Sequence, residues 1–132
     1  MIKTVSIVVI NDEGKILALK RSPDKKWYPG KWDILSGKIE EGESPDECFK
    51  RELLEEAGIT DYHDVETRPP YVYEEAGLKW LVYSFRCKTS QSDIKLDSEH
   101  SEFKWTTLEE LINSEHATPL RTELHVFYEI QG

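Results

Sequence analysis

The stretch whose reading decides the fold runs from Gly37 to Ile59: Gly37-Lys38-Ile39-Glu40-Glu41-Gly42-Glu43-Ser44-Pro45-Asp46-Glu47-Cys48-Phe49-Lys50-Arg51-Glu52-Leu53-Leu54-Glu55-Glu56-Ala57-Gly58-Ile59. Its centre reads as a helix marked at both ends. Ser44 is a good N-cap, Pro45 suits the first helical position, and Glu47 completes a capping box. Gly58 is a C-terminal stop. The spacing predicts a helix from about Pro45 to Ala57. At 100° per residue, Glu52, Glu55 and Glu56 share about 100° of arc, with Phe49, Leu53 and Ala57 on the adjacent arc. The acids therefore border the face that packs. Glu52–Glu55 and Glu52–Glu56 are helical neighbours, and each like-charge pair costs roughly 0.2–0.5 kcal/mol. Three repelling carboxylates at the edge of a core make sense around a cation, and hard divalent ions such as Mg²⁺ take such oxygen ligands.

The charge distribution singles out the same region. Residues 37–66 hold three Lys/Arg against eleven Asp/Glu, a net of −8, in a chain of 132 residues whose total is −9. Residues 1–36 net +3. An acidic surface argues against nucleic-acid polymers and anionic membranes, which need a basic face. The length suits one domain over residues 1–132, and two cysteines, Cys48 and Cys87, do not make a disulfide framework. The apolar run Val5–Ile10 is too short for a signal core or a membrane span, so a cytoplasmic protein is the default expectation.

Outward from the acidic helix, Val5–Ile10 reads as a buried strand, Asn11-Asp12-Glu13-Gly14 as a turn and Ile16–Leu19 as the returning strand. Ser22–Gly30 is a loop and Trp32–Leu35 a short strand. Val65, Tyr71–Tyr73 and Leu78–Phe85 suggest further strands, interrupted by Pro69-Pro70 and Ala76-Gly77. Ser90–Ser101 is loop-like, with Ile94 and Leu96 as a candidate edge strand. Thr107–Leu111 reads as a short helix capped by Thr107. Leu120–Ile130 reads as a terminal helix with Leu120, Leu124 and Phe127 on one face. The order predicts an α/β sandwich with a mixed sheet.

The opening stretch resembles the signature of the Nudix hydrolase family: Gly, five residues, Glu, seven residues, Arg-Glu, apolar, any, Glu-Glu, any, Gly, apolar. All nine specified positions match, namely Gly37, Glu43, Arg51, Glu52, Leu53, Glu55, Glu56, Gly58 and Ile59. With average residue usage, a chance match at one start is on the order of one in 10⁸ to 10⁹. The hairpin before the stretch, Lys20-Arg21, Gly30-Lys31-Trp32-Asp33, and Glu102-Phe103-Lys104-Trp105 leading to Leu108-Glu109-Glu110-Leu111 are similar to the family too. One departure is Leu35-Ser36 where many members carry Pro-Gly.

The resemblance implies a Nudix-type α/β/α sandwich and hydrolysis of a nucleoside diphosphate linked to another group. Mg²⁺ (or Mn²⁺) held by Glu52, Glu55 and Glu56 would invert the local charge and meet an anionic pyrophosphate. By resemblance the Gly37 carbonyl is a further ligand, and Arg51 pairs with Glu43 and orients the glutamates. A general base must take a proton from the attacking water. Glu52 is one candidate, and Glu102, with Glu99 as its neighbour, is the other. Arg21, Lys25, Lys26 and Lys31 are candidates for the outer phosphates or, equally, a solvated loop. His63, His100, His116 and His125 show no metal-ligand spacing.

Length and layout resemble MutT-type enzymes, which act on (deoxy)nucleoside triphosphates, oxidised ones among them, releasing a monophosphate and pyrophosphate. Two other readings stay open: a hydrolase of ADP-ribose, a nucleotide sugar or another diphosphate, and a non-catalytic nucleotide-binding module. Members of the family are often homodimers; no self-complementary surface is legible in this chain.

Overall fold

The computed structural model describes residues 1–130. Seven strands and three helices are found among them, in the order β1 (Ile2–Ile10), β2 (Ile16–Arg21), β3 (Trp32–Asp33), β4 (Leu35–Lys38), α1 (Pro45–Ala57), β5 (His63–Glu75), β6 (Leu78–Lys88), β7 (His100–Thr106), α2 (Leu108–Asn113) and α3 (Arg121–His125). The sheet runs β3-β2-β1-β6-β5, with β4 also paired to β1 and β7 to β2. β1 and β6 are parallel and the other pairs antiparallel, so the sheet is mixed.

Alternation along the central strands makes two cores, because successive side chains point to opposite faces. Val5, Ile7 and Val9 of β1 and Leu17 and Leu19 of β2 pack with Phe49, Leu53 and Ala57 of α1. Val8, Ile16 and Ala18 pack on the other face with Leu111, Leu120 and Leu124 of the α2–α3 segment. Helices thus cover both faces of an α/β/α sandwich. No helix among the described residues is long and apolar enough to cross a membrane.

Four expectations are corrected. Pro69-Pro70 do not break a strand: β5 runs through them, with a register shift between Arg68 and Tyr71. β5 is the sheet edge, where a missing N–H is tolerated. Residues 94–96 form no strand; Ile94 and Leu96 instead pack against the α1 core. The terminal helix is only α3, and the chain leaves it so that Phe127 and Tyr128 can meet the Arg86 guanidinium, 5.1 and 5.0 Å from the two ring centroids. Trp32–Leu35 is split into β3 and β4 because the Asp33 carboxylate accepts the Ile34 N–H at 2.8 Å.

Candidate active site and metal centre

Helix α1 has the expected ends. The Ser44 hydroxyl accepts the Glu47 N–H at 3.1 Å and Glu47 Oε1 accepts the Ser44 N–H at 3.0 Å. Gly58 takes φ 65°, and its N–H and that of Ile59 close on Leu54 and Leu53 carbonyls at 2.9 and 3.0 Å. These caps fix the rotation of the helix. Glu52 and Glu56 are consequently buried at its inner edge and Glu55 is exposed.

Arg51 ties the acids together. Its Nε and Nη2 donate to the two oxygens of Glu43 at 2.7 and 3.0 Å, and its Nη1 donates to Glu52 at 2.7 Å and Glu55 at 3.1 Å. The Lys38 carbonyl takes a further Nη2 hydrogen bond at 3.0 Å. A planar five-donor fork can serve several acceptors at once, where a lysine cannot. The hydrogen bond from Arg51 holds the Glu43 carboxyl down at about 2. Burial pushes the Glu52 carboxyl up, opposed by Arg51, and pushes that of Glu56 well up, with the charge of Glu52 adding.

Strand β4 supplies the opposite wall. A Cβ on Gly37 would stand 2.2 Å from the carboxyl carbon of Glu52, so only glycine lets β4 come this close to the helix. The Ile39 N–H donates to Lys3 O at 2.9 Å, which makes Val5–Gly37 a hydrogen-bonded pair of the β1–β4 ladder by alternation. The Gly37 carbonyl therefore faces β1, where Thr4 Oγ1 also donates to it at 2.7 Å. This is a different direction from the ligand role that the family resemblance implies for it. The backbone of Ser36 turns the other way: its N–H donates to Glu56 Oε1 at 2.9 Å, and its carbonyl shares that edge.

Two residues that sequence reasoning passed over complete the cluster. His100, buried at the start of β7, sets Nδ1 2.8 Å from Asp97 Oδ1 and Nε2 3.6 Å from Glu56 Oε2. One ligand atom from each of Glu56, Asp97 and His100 lies within 4.8 Å of the others. Carboxylates and imidazole together suit a divalent cation, and the raised carboxyls of Glu52 and Glu56 are those that a bound cation would relieve. The residues present thus fit the metal that the family implies.

Glu52 and Glu55 share a cavity of about 620 Å³ with Asp97, Ser98 and Glu99. Glu99 lies on this cavity and meets Lys25 Nζ at 3.3 Å. The structure does not bring Glu102 to it. Glu102 is exposed on β7 opposite Lys20, whose Nζ donates to it at 3.1 Å. It alternates with Trp105, which packs on the α1 side, and so points to the other face. The basic residues also disperse. Arg21 bonds the Trp27 carbonyl at 2.8 Å and Asp33 at 3.4 Å, Lys31 bonds the Glu115 carbonyl at 3.0 Å, and Lys26 is exposed in the loop. Cys48 and Cys87 are buried and free, each thiol pushed up to about 12 by burial.

Comparison with known proteins agrees with this geometry. The sequence matches the NUDIX domain family over residues 2–127. It is 34% identical to a prenyl-diphosphate phosphatase of Methanosarcina mazei, over 86% of this chain and 68% of that one. It is 26% identical to the nucleoside triphosphatase NudI of Escherichia coli, over 84% and 86% of the two chains. A Myxococcus xanthus octanoyltransferase is 34% identical across 83% of this chain, which spans only 33% of that longer protein. The crystal structure of a MutT protein from Methanosarcina mazei Go1 superposes with a TM-score of 0.76 at 32% identity, covering 89% of this chain and 84% of that one. With Glu52, Glu55 and Glu56 on one helix edge, and a family match that spans nearly the whole chain, the protein belongs to the Nudix family as a pyrophosphohydrolase.

Proposed function

We propose that the protein hydrolyses a nucleoside triphosphate to a nucleoside monophosphate and pyrophosphate, using Mg²⁺ or Mn²⁺. The observation that carries the reading is the meeting of two cavities at Ser36. On one side lies the acid-lined cavity; on the other lies a cleft lined by rings and polar groups. An elongated substrate with a polyanionic end and a flat end fits that arrangement.

Glu52, Glu55 and Glu56 would hold the cation, with Asp97, His100 and the Ser36 carbonyl beside them. A bound divalent cation supplies charge neutralisation and a more acidic water. The chain's own residues do the rest. Arg51 fixes Glu52 and Glu55 and is itself fixed by Glu43, so the carboxylates are oriented before substrate arrives. The proton of the attacking water goes to Glu52 or Glu99, the two candidate bases that line the cavity. Lys25 lies next to Glu99, where it can meet an outer phosphate.

The test is a hydrolysis screen over nucleoside triphosphates, ADP-ribose, nucleotide sugars and prenyl diphosphates, with products identified. Pyrophosphate release from a nucleoside triphosphate is expected. Turnover confined to prenyl diphosphates or to nucleoside diphosphate derivatives would reject the triphosphate, and nucleotide-induced stabilisation without turnover would point to a binding module.

A further inference from the structure

A bulge in strand β7 aims one imidazole at the acid cluster. By strict alternation from Trp105, which packs on the α1 side, His100 would point to the opposite face of the sheet. A register shift prevents this. Lys20 pairs with Glu102 and Arg21 with His100, so Ser101 stands unopposed between the two pairs. An extra residue of this kind re-aims the side chain next to it. His100 turns toward α1, and its Nε2 stands 3.6 Å from Glu56 Oε2.

The far side of the ring is held in place. Nδ1 lies 2.8 Å from Asp97 Oδ1, and the His100 side chain is only 4% exposed. A carboxylate that takes the hydrogen of one ring nitrogen leaves the lone pair of the other for a cation, and it orients the ring as it does so. The gap between Nε2 and Glu56 Oε2 is too long for a hydrogen bond. Two ligands of one tetrahedral ion, each about 2.1 Å from it, stand about 3.4 Å apart.

Glu56 has an oxygen to give. Its Oε1 accepts the Ser36 N–H at 2.9 Å, and Arg51 serves Glu43, Glu52 and Glu55 instead. Its Oε2 is the atom that faces the imidazole. Glu56 and His100 are both buried, while Asp97 lines the acid-lined cavity. The nitrogen thus reaches a cation from inside the protein, and substrate phosphates reach it from the cavity.

We propose that His100 Nε2 is a ligand of the cation that Glu56 holds, and that this nitrogen moves the preference of the centre away from Mg²⁺ toward a transition-metal ion such as Co²⁺ or Zn²⁺. The cation centre itself rests on the pyrophosphohydrolase reading above. Imidazole suits transition metals, whereas Mg²⁺ takes oxygen ligands and keeps its water. Asp97 is the positioning residue of the imidazole.

The experiment loads tag-free wild-type protein with Mn²⁺ and records pulsed electron paramagnetic resonance with and without ¹⁵N-labelled histidine. His63, His116 and His125 are exposed, so the label reports on His100. A nitrogen coupling that changes with the label is expected, and this measurement needs no variant. A spectrum without histidine nitrogen would overturn the inference. In parallel, Co²⁺ and Mg²⁺ displace Mn²⁺ from the wild type and from H100Q, which offers an oxygen in place of the nitrogen. The ratio of Co²⁺ to Mg²⁺ affinity should fall about tenfold or more in H100Q, with Mg²⁺ affinity itself changed by less than about threefold. Equal loss for the two ions would make His100 a support of the fold and overturn the inference, and an imidazolium that merely bridges Asp97 and Glu56 would give neither the coupling nor the change in ratio. Pyrophosphate release that continues without any nitrogen coupling rejects this inference alone. A nitrogen coupling in a protein that hydrolyses no diphosphate rejects the underlying reading alone.

Discussion

The Ser36 N–H donates to Glu56 Oε1 at 2.9 Å, joining strand β4 to the last acid of helix α1. That single bond fixes a buried carboxylate, whose other oxygen faces His100 Nε2 at 3.6 Å. Ser36 itself lines both cavities. The helix supplies the acids, but β4 determines where they stand.

Gly37 gives the first prediction. A methyl group at this position must displace the Glu52 carboxyl, 2.2 Å from it. The clash reaches Glu52 Cγ at 2.5 Å, so the whole buried side chain must shift and its hydrogen bond from Arg51 is strained. G37A is expected to lose about a hundredfold in kcat, the scale of an ångström-level misplacement. Its melting temperature should fall as well, by less than the loss of activity would require if unfolding alone caused it. Calorimetry beside steady-state kinetics separates the two effects.

Arg51 gives the second. R51K retains one positive charge but cannot span Glu43, Glu52 and Glu55 together. Stability should fall by roughly 1–2 kcal/mol from lost charge-assisted hydrogen bonds, read by urea denaturation. Activity should fall further than stability accounts for, because Glu52 loses its orienting partner. Wild-type kcat in R51K would show that the orientation is unimportant.

The choice of general base gives the third. Glu99 lies on the acid-lined cavity, while Glu102 lies on the opposite sheet face paired with Lys20. E102Q should therefore keep wild-type kcat/KM, and E99Q should lower it by about tenfold or more if Glu99 takes the proton. Unchanged activity in E99Q assigns the base to Glu52. A large loss in E102Q would contradict the geometry.

Stability against pH gives the fourth, through two groups of opposite sign. Glu43 is held at about 2, below its ordinary 4.5. Its contribution is present above pH 4.5 and lost as pH falls toward 2; E43Q should remove that part of the acid dependence. Glu123 is raised from 4.5 to about 8. The unfolded chain releases this proton first, so stability declines as pH rises from about 4.5 through 8. E123Q should be more stable than the wild type at pH 8 by about 1 kcal/mol or more and nearly equal at pH 4. Melting curves across that range check both signs.

Local signals made part of this legible in advance. Ser44, Glu47 and Gly58 act on their own backbone neighbours, so α1 could be placed to the residue from sequence. The Leu17/Leu19 and Ile16/Ala18 alternation likewise reports its own two faces. Strand β7 was hidden because its alternation is masked: Phe103 is 39% exposed and Glu102 and Lys104 point outward with partners of their own. Asp97 and His100 were hidden for a different reason. They reach Glu56 only because the 89–99 segment folds over the end of α1, where Lys95 N–H donates to Ala57 O at 2.9 Å and Gln91 Nε2 to Gly58 O at 2.8 Å. Contacts between distant segments leave no periodic trace. The direction of the Gly37 carbonyl was set in the same way, by the register of β4 on β1.

The most direct test of the central claim is pyrophosphate release from nucleoside triphosphates by the wild type and E56Q, with Mn²⁺ binding followed by electron paramagnetic resonance. The amide oxygen that E56Q introduces can still accept the Ser36 N–H, so the fold is retained while the charge is removed. Wild-type activity should vanish with EDTA and return with Mg²⁺, and E56Q should lose about a hundredfold or more in kcat together with Mn²⁺ affinity. Undiminished activity after exhaustive EDTA treatment, or wild-type turnover by E56Q, would contradict the account.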